Sequence, residues 1–363
     1  MLFRSVARIL QHSICNRVGP RGNPIPLIAE TGGQNAMIVD SSALAEQVVA
    51  DVIESAFDSA GQRCSALRIL CVQEEAAERI LELLLGAMAE LRVGNPDQLF
   101  VDVGPVIDSS AKDAIQKHID LMRAKGRCVH QIAGASPDSL RGGFFVPPTL
   151  IEIDSIAELQ HEVFGPVLHF IRFKRYELDE LIDQINATGY GLTMGLHTRI
   201  DETIARVPAR ARAGNIYVNR NMVGAVVGVQ PFGGERLSGT GPKAGGPLYL
   251  YRLLSQRPVD VMSRVVEASS LEPIKDSGMP VPLHALFVWA KDGNRPLADL
   301  CVRFAALSRS GTTQTLAGPT GERNVYSLLP RDAVLCLAKL DQDQLIQLAA
   351  VLAVGSQIGR AHV

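Results

Sequence analysis

The chain has 363 residues with 36 basic against 38 acidic side chains, a net charge of −2 that excludes a broad basic surface for nucleic acid. That length allows two or more domains and an ample core, while no apolar run reaches transmembrane length and the start lacks a signal-peptide core. Six cysteines, at positions 15, 64, 71, 128, 301 and 336, show no zinc-type Cys-x-x-Cys or Cys/His spacing, so the sequence predicts no metal site and a reducing, cytoplasmic setting.

Taken in order, strand-like and helix-like segments alternate, the signature of an α/β fold. Ser41 or Ser42 is placed to cap a helix reaching about Ala60, with Leu44, Val48, Val52 and Ala56 on one stripe. Gly61 ends it and leaves Cys64 in the loop beyond. Leu67–Val72 reads as a buried strand and Glu74–Leu91 as an amphipathic helix, broken off by Asn95-Pro96. A helix over Ser109–Ala124, a strand near Cys128–Ile132 and an extended Phe144–Ile153, required by Pro147-Pro148, come next. Strands over Val167–Phe173, Thr193–His197 and Asn215–Asn219 then alternate with helices over Leu178–Asn186 and Asp201–Ala211.

Past Arg257-Pro258 the character changes. Glu272–Pro282 is broken by proline and glycine, an apolar run Leu283–Trp289 follows, and Val334–Leu337 and Gln342–Val354 read as a strand and a helix. Gly318-Pro319-Thr320-Gly321 lacks the spacing and Lys-Ser/Thr ending of a phosphate loop and reads as a structural turn.

Chemistry concentrates in two glycine-rich stretches, Glu30-Thr31-Gly32-Gly33-Gln34-Asn35 and Gly61-Gln62-Arg63-Cys64-Ser65. A thiol framed by small and cationic residues, with a carboxylate upstream, suits covalent catalysis: the thiolate as nucleophile, the carboxylate as the base that activates water. Glycine in both stretches lets backbone approach a ligand closely. Cys71 and Cys336 fall in apolar runs and read as packing residues. His12, His118, His130, His161, His169, His197 and His284 show no metal pairing, and Lys243, in a glycine-rich turn, reads as structural.

Two further motifs follow, Glu162-Val163-Phe164-Gly165-Pro166 and Pro231-Phe232-Gly233-Gly234, the latter with Ser238-Gly239 behind it. The four together, in this order, resemble the aldehyde dehydrogenase superfamily. Pro26–Met37 and Gly241–Pro247 are similar to the pyrroline-5-carboxylate dehydrogenase module of bacterial proline utilization A. The resemblance implies a catalytic domain with a parallel-type sheet flanked by helices, and NAD as cofactor. It implies Cys64 as nucleophile and Glu30 as the base that releases the acyl group, Glu162 on the nicotinamide ribose and Phe164 near the nicotinamide. It also implies a substrate site of Ser65, Gly224, Ala225 and Phe232, with glutamate γ-semialdehyde as substrate and L-glutamate as product. Backbone N–H groups at Gly224-Ala225 are suited to a carboxylate.

By the same resemblance, residues 30–257 are the catalytic domain and 258–357 the smaller α/β C-terminal domain of the long forms. Residues 6–29 would then be a remnant of a mostly missing Rossmann-like NAD domain, too short for a βαβ unit. The expectation is a truncated piece, inactive alone with NAD, of a homo-oligomeric bifunctional parent. FAD would belong to an upstream proline dehydrogenase part, and any membrane association, at the inner face, to that parent. Leu2-Phe3-Arg4-Ser5 and Ile358-Gly359-Arg360 can be encoded by reverse complements of one another, so tips 1–5 and 358–363 read as translated sequencing adapter. The alternatives are a non-catalytic scaffold, which the intact Glu30, Cys64 and Glu162 argue against, and a stand-alone semialdehyde dehydrogenase, which the tail disfavours.

Overall fold

The computed structural model describes residues 2–20, 22, 25–133, 142–256 and 278–360. The chain divides into two units, Met1–Leu253 and Leu254–Val363. The boundary expected at 257/258 opens a stretch, 257–277, that lies outside the described residues, as does most of Glu272–Pro282.

In the first unit the strands are β1 Asn35–Val39, β2 Leu67–Gln73, β3 Val129–Gln131, β4 Thr149–Glu152, β5 Val167–Phe173, β6 Tyr190–Gly191, β7 Thr193–His197, β8 Asn215–Val218 and β9 Glu235–Arg236. Among the described residues, seven of them form one sheet in the order β3-β4-β5-β2-β1-β7-β8. Neighbours from β4 through to β8 pair in parallel, and only the edge strand β3 runs antiparallel to β4. Every residue of β1 and β2 is buried, and apart from Asn35, Arg68 and Gln73 they are the apolar side chains expected of a parallel sheet covered on both faces. The helix Ala45–Phe57 crosses from β1 to β2 and buries Val48, Val49, Val52 and Ala56 in that core. The tiny β6–β9 pair is antiparallel and lies outside the main sheet.

Strands over 67–73, 167–173 and 193–197 and the helix Ser109–Ala124 fall where the sequence puts them. Asp108 caps that helix by accepting from the Ala111 N–H at 2.7 Å. One expectation fails. Neither Ser41 nor Ser42 caps the helix after β1, which starts at Ala45 behind Leu44 with no side-chain cap. The Asp40 carboxylate instead accepts from the Ser42 N–H at 2.8 Å and the Ser42 hydroxyl at 2.5 Å, so the serine is spent in a turn.

In the second unit, helices Val281–Lys291, Arg295–Leu307 and Asp341–Ala353 gather round a small core of Leu283, Ala290, Leu297, Ala298, Cys301, Ala349 and Ala353. The apolar run at 283–289 is thus a helix. The hairpin Thr313–Leu316 with Asn324–Ser327 carries the Gly318–Gly321 turn at its tip. Ala333–Cys336 pairs in parallel with Gln357–Arg360, and a helix spans Leu2–Cys15, so neither 5/6 nor 357/358 is a break in secondary structure. No helix among the described residues is long and apolar enough to cross a membrane.

One helix offers a clean test of the core. Ile119 is fully buried while Leu121, two residues on, is 51% exposed. Ile119→Ala should cost about 2–5 kcal/mol and Leu121→Ala less than about 0.5 kcal/mol in urea unfolding of the full chain. Equal costs would mean that this helix face is assigned wrongly.

Candidate active site

Glu30 precedes β1, Cys64 precedes β2, and Glu162 and Phe164 precede β5. These three strands are adjacent and parallel, in the order β5-β2-β1, so the three segments emerge side by side at the amino ends of the sheet. Phe232-Gly233-Gly234 returns to the same end: Gly214, just before β8, lies so close that a Cβ there would be 2.0 Å from the Gly233 carbonyl.

Glycine is the joint at each meeting point. The Gly234 N–H donates to Glu30 Oε2 at 2.8 Å, and Cβ atoms on Gly233 or Gly239 would stand 2.9 and 2.8 Å from the Glu30 carboxylate oxygens. A Cβ on Gly32 would overlap Glu162 Oε2 at 1.8 Å, and the Gly33 N–H donates to the Glu162 carboxylate. A Cβ on Gly61, whose φ is +64°, would be 2.2 Å from the Gly165 carbonyl. Ser59 and Ala60 before it also have positive φ, so three left-handed residues turn the chain from the helix into the Cys64 loop.

Two polar side chains hold this loop. Asn35 Nδ2 donates to the carbonyls of Cys64 at 2.7 Å and Ala66 at 2.9 Å, while its Oδ1 accepts from the Thr193 N–H at 3.2 Å. Arg68 is 1% exposed. Its guanidinium donates to the Gly165 carbonyl at 3.0 Å and the Arg63 carbonyl at 3.2 Å, stands 3.6 Å from Glu162 Oε1, and lies 5.2 Å from the Phe164 ring centroid. Sequence reasoning passed over Arg68, yet an arginine inside the apolar run Leu67–Val72 was the available signal, because a charge is buried only when partnered.

Cys64 is exposed, but the surrounding protein still desolvates its thiol and pushes its pKa up. The N–H groups of Ser65 and of Cys64 itself work the other way, and the Glu162 and Glu30 carboxylates add a smaller upward push. The thiol therefore sits within electrostatic reach of both acids. Desolvation raises Glu30 to about 7 against the hydrogen bond from Gly234 and the charge of Lys243. Burial likewise lowers Lys243 to about 8. Lys243 Nζ donates to the Gly214 carbonyl and to Asn215 Oδ1, whose Nδ2 donates to the Pro231 carbonyl. The lysine read as structural is thus also a charge beside Glu30. Burial raises Glu162 as well, with Arg68 as the main opposing influence.

Ser65 is buried beside Cys64, and its carbonyl accepts from the Thr193 hydroxyl at 3.2 Å. Phe232 is half-buried and exchanges backbone hydrogen bonds with Ala244 at 3.0 and 2.8 Å. Gly224 has φ +74° with open space around its Cβ position, so backbone conformation rather than crowding requires glycine there. The loop holding Gly224-Ala225 is tied to the helix that leads to Cys64 by the Met222 N–H, which donates to Ser55 Oγ at 3.1 Å.

One grouping of side chains was not visible in the sequence. The histidines show no metal pairing in the sequence, but His130 Nε2 lies 3.2 Å from Cys128 Sγ and 3.0 Å from Glu152 Oε1. Strand pairing, invisible to sequence spacing, creates that group.

This arrangement sets a thiol and two acids together at the amino ends of a parallel sheet in an α/β fold. A family model described as the aldehyde dehydrogenase family matches residues 11–259, and the chain belongs to that family. It is 61% identical over 360 residues to the bifunctional protein PutA of Klebsiella aerogenes, covering 97% of this chain and 27% of that protein. It is 37% identical over 237 residues to 1-pyrroline-5-carboxylate dehydrogenase 2 of Bacillus subtilis, covering 65% of this chain and 45% of that one. A crystal structure of bifunctional proline utilization A (PutA) aligns with TM-score 0.64 at 52% identity, over 69% of this chain and 25% of that one. The chain spans 27% of the length of the curated PutA relatives it matches.

The contact between Gly32 and Glu162 is testable by coupling. Gly32→Ala should expel the Glu162 carboxylate from beside Arg68 and destabilise the fold, whereas in a Glu162→Ala background the added methyl meets free space. The double-mutant cycle should give a coupling of about 0.5–3 kcal/mol. Additive costs would place the carboxylate elsewhere.

Proposed function

We propose that the chain carries the nucleophile and base of an NAD-dependent L-glutamate γ-semialdehyde dehydrogenase of proline catabolism, within a bifunctional protein whose proline dehydrogenase part uses FAD. The observation that carries this reading is the convergence of four separated motifs on one end of the sheet, with Glu30 raised to about 7 beside them. The relatives named PutA and 1-pyrroline-5-carboxylate dehydrogenase supply the substrate class.

In this reading the Cys64 sulfur bonds to the aldehyde carbon, the carbonyl π bond breaks, and the thiol proton ends on the carbonyl oxygen, giving a thiohemiacetal. The N–H groups that face Cys64 are suited to steady charge at the reacting centre. Bound nicotinamide supplies the acceptor for the hydride that leaves this carbon. As the hydride leaves, the hydroxyl proton passes to solvent, and Cys64 is then held as a thioester. Glu30 takes a proton from water, the hydroxide adds to the acyl carbon, and the carbon–sulfur bond breaks to release the carboxylate and restore the thiol.

Glu162 fits the cofactor for a local reason. Its Oε1 is buried without a hydrogen-bond partner, since the nearest Arg68 nitrogen is 3.6 Å away. A ribose hydroxyl would satisfy that acceptor, and Phe164, half-buried on the Arg68 guanidinium, would bound the nicotinamide end. Ser65, the Gly224-Ala225 backbone and Phe232 would hold the substrate carboxylate and its aliphatic stem.

Deacylation tests the two central roles without cofactor. A p-nitrophenyl ester should acylate Cys64, as located by peptide mass mapping. Loss of the acyl group should speed up as pH rises through about 7, because Glu30 works only once its raised pKa is passed and it has lost its proton. Glu30→Gln should remove that pH limb and slow deacylation by about 10²–10⁴-fold. Acylation at another cysteine, or a limb that persists in Glu30→Gln, would overturn the assignment. Semialdehyde should also shield Cys64 from iodoacetamide; unchanged alkylation would remove the substrate assignment while leaving the nucleophile standing.

A further inference from the structure

The group formed by Cys128, His130 and Glu152 lies apart from the site above, on the antiparallel edge of the sheet. Cys128, the residue just before β3, and His130 within it are two residues apart in extended backbone and so share a face. The pairing of Val129 with Ile151 sets Cys128 opposite Glu152, and the Glu152 N–H donates to the Cys128 carbonyl at 3.0 Å. A thiol, an imidazole and a carboxylate are thereby presented together.

Their donor atoms converge rather than form a relay. Sγ and Oε1 approach the same imidazole nitrogen, Nε2, at 3.2 and 3.0 Å. A Cys–His–Glu catalytic relay needs the acid on one ring nitrogen and the thiol on the other. A protonated Nε2 can donate to Glu152, to which the Cys128 thiol also donates, so two protons are directed at one carboxylate. A bare Nε2 can accept from the thiol, but it then faces the carboxylate lone pair to lone pair. A cation at the centre satisfies all three donors at once.

The spacing suits that cation. Zinc bonds of about 2.0 Å to N and O and about 2.3 Å to S imply donor separations of roughly 3.3–3.5 Å in a tetrahedral site. The two contacts to Nε2 need open by only a few tenths of an ångström, and all three donor atoms lie within 4.8 Å of one another. Glu152 is also braced from outside: its Oε2 accepts from Arg172 Nη1 at 2.5 Å, and Arg172 pairs with Glu78 at 2.7 Å. That leaves Oε1 turned to the group, an outer-shell support of the kind that orients carboxylate ligands. His130 and Glu152 are partly buried and Cys128 is exposed, so one face is open to a fourth ligand such as water.

We propose that Cys128, His130 and Glu152 form a site for a divalent cation of the zinc class, which pins the edge strand β3 to β4. The mixed sulfur, nitrogen and oxygen set selects zinc or cobalt over magnesium or calcium.

Cobalt titration of the full chain tests this, since thiolate ligation gives a near-ultraviolet charge-transfer band. The expected result is one band that saturates at one equivalent, is displaced by zinc, persists in Cys64→Ser and disappears in Cys128→Ser. His130→Ala should weaken binding by more than about tenfold, and zinc should raise the melting temperature of the parent but not of Cys128→Ser. Circular dichroism of the two variants checks that they remain folded. If a variant does not fold, the site stands or falls on the parent and Cys64→Ser alone. No thiolate band in the folded parent, a band lost in Cys64→Ser, or one kept in folded Cys128→Ser would overturn the site.

Discussion

The buried guanidinium of Arg68 is the constraint on which the arrangement of this site depends. It sits near the start of β2, the middle strand of the sheet, where an apolar side chain would ordinarily go. Burying a cation there is costly, and only its partners make it tolerable. Those partners are drawn from two distant motifs: the Arg63 carbonyl next to Cys64, and Gly165 and Glu162 from the segment before β5. One side chain thus fixes two loops to the same strand end. It also opposes the burial that pushes the Glu162 carboxyl toward its neutral form.

Open parallel α/β sheets usually bind ligands beyond the carboxyl ends of their strands, where helix amino termini supply positive potential. Here the functional segments are those entering β1, β2 and β5, at the opposite end. The helix before Cys64 presents its carboxyl end, so its dipole gives a thiolate no help. Individual N–H groups must do that work, and the glycines make it possible. With no Cβ at Gly32, Gly61, Gly233 and Gly239, backbone and carboxylates can press together at distances that any other residue would block.

This explains what was legible in the sequence. Long buried strands and amphipathic helices follow from hydrophobic period alone, which is why β2, β5, β7 and the helix Ser109–Ala124 match. The four motifs were visible as residue types, though what binds them together was not. Arg68 appears in the sequence as one charge in an apolar run, and its role exists only once β2 and β5 are neighbours. The Ser42 cap failed because a local carboxylate competed for the same hydroxyl. Cys128, His130 and Glu152 meet through antiparallel pairing across an interval of 22 residues between His130 and Glu152, for which spacing carries no signal.

Glu30 and Lys243 show how the same packing sets the chemistry. For both groups desolvation outweighs their mutual attraction, raising the acid to about 7 and lowering the base to about 8. An acid whose native pKa is raised favours the fold when protonated, and that contribution is lost as pH climbs from its unfolded value through about 7. A lysine whose native pKa is lowered opposes the fold at low pH, and this cost is relieved as pH rises through about 8 and on to its unfolded value. The two are mostly charged together only in the narrow interval between those values. There the carboxylate has lost its proton, and the ammonium still steadies its charge. Above that interval Glu30 would lose its cationic neighbour, and below it the carboxylate would hold its own proton and have no basicity to offer.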